Sequence, residues 1–494
     1  LKFVFIKGTP PREVKGLRKI YPDGSYDYAA MLTNAHLPPV NMNLSEDAST
    51  FKIKTRSSGH GFGANSENCA EFCPKFHRLR IDGVQQFNWY LWNECSDNFV
   101  YPQGGTWVYD RAGWCPGAMV NSYEHEITPF VTPGQPVSID YDIQTSTMPY
   151  GNYVISAHLF SYGQPSHALD VSIEDIINPS MDDMHSRKNP ICTNPRIKIR
   201  NTGSQTLTSV LITYGVKQYS DIAPTFPCYF RWTGQLAFMQ EAEVTLPLFN
   251  WTNLNAANPM FYVELSEPNY AVGGDQYLNN NYMEVPFALP PQYQSGLSLY
   301  FRTNAVAYQN SYTLTNDQGQ VVYTRTGLTN NTTYDDVFTL PSGCYTLRFT
   351  DGGQNGVSWW AAASEGNGWV RLKNPAGGYY VDFEPDFGMD IVHHFTVGYD
   401  LGGEYNGIQC LNTTSVEPIS NQAAFAQSIK VFPNPSSDGQ VFIDLNFDDF
   451  KPVNISVFNA LGQLLHTQQA TVRNQVMEVP MPRIAGLYYV QIAS

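Results

Sequence analysis

The sequence predicts an all-β protein of several domains, on three observations. Apolar residues alternate with period two along most of the chain, as in VSIDYDI, YVISAHLF, RIKIRN and VLITYGV, whereas stretches with helical period are nearly absent. Turn residues recur at short intervals, with 38 Gly and 33 Pro in 494 residues, which is the rhythm of sandwiches and jelly rolls. Charged residues are only 15% of the chain, while 31 Tyr and 28 Phe supply aromatic strands.

A chain of this length exceeds one hydrophobic core, so it divides. A cysteine-rich β domain is expected over 1–185, with INPSMDDMHSRKNP as its joint to the next unit. An Ig-sized sandwich follows over 186–290, and ALPPQYQSG leads into a second sandwich over 291–402. The polar stretch 403–427 reads as a linker into a small β-sandwich over 428–494, where FPNP opens a stiff edge, NALGQ is a hairpin turn and AGLYYVQI is a buried strand.

Charge and hydropathy exclude some functions. A net charge of −15 with 29 Lys and Arg leaves no basic stripe to neutralise phosphates, so nucleic acid is not an expected partner. No run of about 18 apolar residues offers a helical membrane span. The opening LKFVFIKGTPPREVKG breaks its apolar run at Lys7 and has no initiator Met, so it does not read as a signal peptide. The chain therefore reads as processed or partial.

The eight cysteines fall into local sets, which suits disulfides in an oxidising compartment. Cys69 is expected to pair with Cys73, Cys95 with Cys115, Cys192 with Cys228, and Cys344 with Cys410. A zinc site from the first four is the rival, but the C-x₃-C spacing fits a knuckle poorly, and no metal or cofactor is expected. The Cys95–Cys115 loop is worth about 3 kcal/mol in the chain-entropy model.

Several segments could carry chemistry. GHGFG lacks the GK[ST] and the strand-to-helix context of a phosphate loop, so its glycines read as turns or close approaches. In YEHEI, Glu124 and Glu126 share one face of a strand and His125 takes the other, which reads as a solvated face. Asp351 and Asn355, in the Gly-rich DGGQNGVSWW, could hold calcium but lack a carboxylate ligand set. The loops held by the first two disulfides are different, because they bring Glu71, His60, His77, Asp110 and Arg111 toward one another. A carboxylate near a guanidinium positions water or holds an amide, and Trp107, Tyr109 and Trp114 offer flat faces for a sugar ring. The bland alternative is a structural ion pair from Arg111 to Glu71 or Asp110.

A Gly-His, then CAEFC, then a His four residues on, then DRAGWCPG resembles the C-terminal half of the bacterial peptide-N-glycosidase F family over residues 1–180. That family's pattern has C-A-E-W-C where this chain has CAEFC. The resemblance implies an eight-stranded antiparallel jelly roll and hydrolysis of the amide between asparagine and the first N-acetylglucosamine, with Glu71 and Arg111 as active-site residues. His60, His77, Trp107, Asp110 and Trp114 are the expected substrate contacts. The family's principal catalytic aspartate lies in a preceding jelly roll, expected here on a missing half or on a separate N-terminal jelly-roll fragment. Ser58 stands where the family has a sugar-contacting tryptophan.

At the other end, KVFPNPSSDGQVFIDL, ISVFNALGQLLH and IAGLYYVQIAS resemble a type A sorting domain of the Bacteroidetes type IX secretion system. This implies export through the periplasm to the cell surface or medium, with the outer-membrane shuttle or translocon as partner. The middle domains resemble CARDB-like Ig modules and other secreted β modules. Three functions remain open: an amidase acting on N-glycoproteins, a glycan-binding or adhesin-like surface protein, and a passenger bound to the secretion machinery.

Overall fold

In the computed structural model, residues 8–63, 69–100, 103–218, 227–248, 251, 258–398, 429–432, 440–459, 464–480 and 488–493 are described. The chain resolves into two units, 1–412 and 413–494. Strands dominate, and the one α-helix among the described residues is the single turn Tyr28–Met31.

The first sandwich is built from β1 (Arg12–Asp27), β2 (Val40–Asn43), β3 (Thr50–His60), β4 (Lys75–Ile81), β5 (Val84–Leu91), β6 (Ser122–Glu126), β7 (Pro136–Ile143) and β8 (Asn152–Pro165). Two four-stranded sheets run in the orders β1-β8-β3-β6 and β2-β7-β4-β5. Strand one pairs with eight, two with seven, three with six and four with five, all antiparallel, which is the rolled-up hairpin of a jelly roll. Alternation fixes the register: Val137, Ile139, Tyr141 and Ile143 of β7 point inward and meet Phe51, Ile53, Leu79 and Ile155 in one core. The expected split within YEHEI holds too, with His125 buried and Glu124 and Glu126 exposed.

The boundary expected at 185 falls earlier. β9 (Val171–Asn178) pairs antiparallel with β10 (Arg196–Asn201), and Val171, Ile173 and Ile176 sit in the second core, so the jelly roll ends near Pro165. INPSMDDMHSRKNP thus connects two strands of one sheet. Glu241–Thr245 completes that sheet, and it faces a four-stranded sheet of Cys228–Leu236, Leu207–Gln218, Pro259–Ser266 and Tyr282–Pro286. The third sandwich has a five-stranded sheet, with Gln292–Tyr293 parallel to Asp390–Val397 at one edge, and a four-stranded sheet centred on Leu297–Arg302 and Trp369–Lys373.

The disulfides require a second correction. Cys69–Cys73 and Cys95–Cys115 are formed, but Cys192 is bonded to Cys344 instead of Cys228. Both cysteines are buried, their Cα atoms are 5.7 Å apart, and they join the second sandwich to the third across 152 positions of sequence. Closeness along the chain misled because the seam between two sandwiches brings distant strands together. Cys344 is therefore not paired with Cys410, which lies outside the described residues, as does the linker 403–427. Cys228 is also disulfide-bonded.

In the C-terminal unit, the strands Ile429–Phe432, Gln440–Asn459, Leu464–Pro480 and Tyr488–Ala493 form one antiparallel sheet around Ile443, Val453, Ile455, Val457 and Val479. The turn residues 460–463 and most of FPNP are outside the described residues.

Candidate functional site

Two connections at the same end of the jelly roll carry the site: β3 to β4, with CAEFC, and β5 to β6, with the Cys95–Cys115 loop. Backbone hydrogen bonds zip them together. Gly59 N–H donates to Ala112 O at 2.9 Å, Ala112 N–H to Glu71 O at 2.9 Å, and Glu71 N–H to Gly61 O at 3.3 Å. This approach requires Gly59, because a Cβ there would stand 2.1 Å from Ala70 O. Gly113 adopts φ +80° against Ser57 and Leu91 for the same closeness.

Glu71 and Arg111 form the centre. Arg111 Nε donates to Glu71 Oε1 at 3.3 Å and Gly61 N–H donates to Oε2 at 3.1 Å, leaving the carboxylate side chain 16% exposed. The guanidinium itself is turned inward. Nη1 donates to Tyr109 O at 2.6 Å and Trp107 O at 3.5 Å, and Nη2 to Thr106 O at 2.9 Å and Thr106 Oγ1 at 3.1 Å. All five N–H groups have acceptors, and Phe72 and Trp114 lie against the group at 5.0 and 5.1 Å. Burial pulls its pKa down, while the Glu71 and Asp110 carboxylates oppose that. Arg111 is thus a clamp that aims Glu71 and braces the loop. Thr106, Phe72 and the Gly61 amide were not singled out from sequence, and Phe72 alone carried a signal, as the residue following Glu71 inside CAEFC.

The other expected contacts separate. His60 is half-buried, with Nε2 2.8 Å from Ser58 Oγ and its ring 5.2 Å from Trp114, and burial lowers its pKa despite Glu71. Trp114 donates its indole N–H to Gly59 O at 2.9 Å. His60 thus feels the Glu71 charge, and Trp114 lies against the Arg111 guanidinium that holds that carboxylate. Asp110 instead accepts from Cys95 N–H at 3.1 Å and organises its own loop; burial raises its pKa. His77 and Trp107 are fully buried and present no face to a ligand, which corrects their expected role. His77, on an inward position of β4, bonds Tyr141 Oη through Nδ1 at 2.6 Å, and burial pushes it down to about 3. Trp107 packs against Val108 and Trp359 of the third sandwich. Asp351 organises a turn instead of offering itself to calcium: it accepts backbone N–H groups from Gly353, Asn355 and Gly356 and the side chain of Asn310. Among the described residues no three His, Cys, Asp or Glu side chains converge on a common point.

The third sandwich braces this end of the jelly roll. Arg187 donates to Ser96 O and Asn98 O on the cysteine loop and to Phe387 O and Asp390 O on the sandwich. Ser96 Oγ donates to Gln354 Oε1, and the indole N–H groups of Trp359 and Trp360 both donate to Gly105 O.

Fold and site define a multi-sandwich protein whose jelly roll presents a clamped carboxylate at one end. Residues 27–160 match the family described as peptide-N-glycosidase F, C terminal, and residues 430–494 match the secretion system C-terminal sorting domain. The chain is 30% identical over 155 residues to the peptide-N(4)-(N-acetyl-beta-D-glucosaminyl)asparagine amidase F of Elizabethkingia miricola, covering 29% of this chain and 43% of that protein. It thus spans less than half the length of this curated relative. The solved structure of PNGase F, a glycosylasparaginase from Flavobacterium meningosepticum, is 27% identical over 32% of this chain and 55% of that one, with a TM-score of 0.28. PNGF-II is 16% identical over 31% of each chain, with a TM-score of 0.24. The type IX sorting domain marks the protein for export to the cell surface or medium through the secretion machinery. Among the described residues no helix is long and apolar enough to cross a membrane.

Proposed function

We propose that the jelly roll binds the asparagine–N-acetylglucosamine amide of N-glycoproteins outside the cell, with Glu71 as the group that touches it. The carrying observation is the hold on that carboxylate: one oxygen fixed by Arg111, the other by the Gly61 amide, with the side chain still partly exposed. A carboxylate so held accepts from the amide N–H or from water in one orientation, without an entropic cost at the moment of binding. Hydrolysis needs a second carboxylate, which the resembled family draws from a preceding jelly roll. A glycan-binding protein without turnover is the second reading, favoured because Asp110, the other acid of the two motif blocks CAEFC and DRAGWC, is engaged with Cys95 N–H.

Release of glycan from a denatured N-glycoprotein and binding of a chitobiosyl-asparagine peptide test this together. For the amidase, Glu71→Gln should lower release by ~10²-fold or more while the fold is kept. Binding that weakens in Glu71→Gln without any cleavage supports the second reading. Binding and cleavage both indifferent to Glu71→Gln would overturn the placement of the site.

A further inference from the structure

An aromatic path leaves the candidate site and crosses into the third sandwich. Phe72, next to Glu71, meets Phe62 on one side at 5.7 Å and Tyr109 on the other at 6.0 Å, both edge to face. Tyr109 meets Trp359 at 5.0 Å, and Trp359 meets Trp360 at 6.2 Å. Trp359 is buried, but Phe62, Tyr109 and Trp360 are 64%, 44% and 66% exposed.

Trp360 is the unusual member. An exposed indole ordinarily keeps its N–H in water, yet this one donates to Gly105 O at 2.8 Å, so the polar handle is engaged and the ring is held while its surface stays wet. Gly104 and Gly105, in the loop that accepts this bond, carry no side chain. A fixed, uncovered aromatic ring suits a pyranose, whose C–H groups on one face carry partial positive charge and are drawn to the π-cloud. A sugar's hydroxyls stay hydrated at its edge, which fits a platform bordered by backbone and open to solvent.

We propose that Tyr109 and Trp360 form a carbohydrate subsite, in which the third sandwich holds the outer sugars of the glycan whose first residue lies at Glu71. This rests on the reading of Glu71 as the amide-side contact. It gives the third sandwich a share in ligand choice, favouring long glycans over short ones.

Calorimetry on the full chain with N,N′-diacetylchitobiose and with a free complete N-glycan tests it. Trp360→Ala should weaken the long glycan by about tenfold and leave the disaccharide unchanged, the scale of one lost aromatic contact. Trp360→Phe keeps a ring but loses the bond to Gly105 and should retain most of the affinity, which separates stacking from docking of the two sandwiches. Equal affinity of wild type and Trp360→Ala for the long glycan would overturn the subsite and leave the Glu71 reading intact. A wild type that binds neither free sugar would likewise overturn the subsite without touching the Glu71 reading, since neither carries the asparagine amide, and a Trp360→Ala variant weakened equally toward both sugars would overturn the subsite by reassigning Trp360 to loop support.

Discussion

Arg111 holds the candidate carboxylate from inside the protein, with its guanidinium turned toward its own loop. Its five N–H groups are all engaged inside the protein, four of them by the Thr106–Tyr109 turn and one by Glu71. A lysine has a point charge and three donors in place of five, so Arg111→Lys gives up at least two of these hydrogen bonds and frees Glu71 to turn. The expected loss is about 2–3 kcal/mol in denaturant titration, with a fall in ligand affinity or turnover of about tenfold or more. Because Arg111 acts through Glu71, the double variant with Glu71→Gln should bind no worse than Glu71→Gln alone. Additive losses in that cycle would place the guanidinium on the ligand instead. The pair itself was legible in the sequence, since two short disulfide loops bring CAEFC and DRAGWC together. The inward turn of the guanidinium was not, because it depends on carbonyls of Thr106, Trp107 and Tyr109 whose directions no spacing encodes.

At the scale of elements, the eight strands of the jelly roll follow from alternation, and the loops do not. His77 and Trp107 looked like ligand contacts because they are polar or aromatic near the motif. His77 lies in a strand whose alternate positions all face the core, and the alternation in KFHRLRI could have revealed it. Trp107 lies in a loop whose packing partner, Trp359, is about 250 residues away, and nothing local marks it as buried. The same long-range contact hid Arg187, which ties the cysteine loop to the third sandwich through four carbonyls. Arg187→Ala should loosen the Cys95–Cys115 loop with its disulfide intact. Amide exchange in peptides covering 95–115 should speed up by tenfold or more, about 1.4 kcal/mol of local opening, while the β1 to β8 pairing keeps its protection. Unchanged exchange in that loop would show that the two sandwiches support it without Arg187.

At the scale of the molecule, the buried titratable groups set opposing responses to acid. Burial pushes His77 down to about 3 and His125, His393 and His394 to about 4, so each is neutral in the folded protein at pH values where an unfolded histidine, near 6.5, takes a proton. Their contribution to stability is complete above pH 6.5 and is lost as pH falls toward 4, by about 1.4 kcal/mol per pH unit for each. Asp275 and Asp351 act in the opposite sense. Burial raises both to about 6, so their ionisation costs stability above pH 6 and the cost is relieved as pH falls from 6 to about 4. The two carboxyls offset two of the four histidines, and the sum still favours unfolding in acid. The balance differs along the chain. Asp275 and Asp351 belong to the second and third sandwiches, whereas His77 and His125 share the jelly roll, where Asp110 and Asp140 are raised by burial less strongly. Thermal unfolding at pH 7.5, 6.0 and 4.5 should therefore show the largest downward shift in the jelly roll, read by hydrogen exchange in β4, β6 and β7, and a smaller one in the sandwiches. His125→Gln, which keeps a side chain able to bond Thr55 Oγ1, should make the jelly roll's shift shallower by close to one proton's worth. A jelly roll that gains stability between pH 7.5 and 4.5, or a His125→Gln profile parallel to wild type, would show that the imidazoles are reached by protons without unfolding.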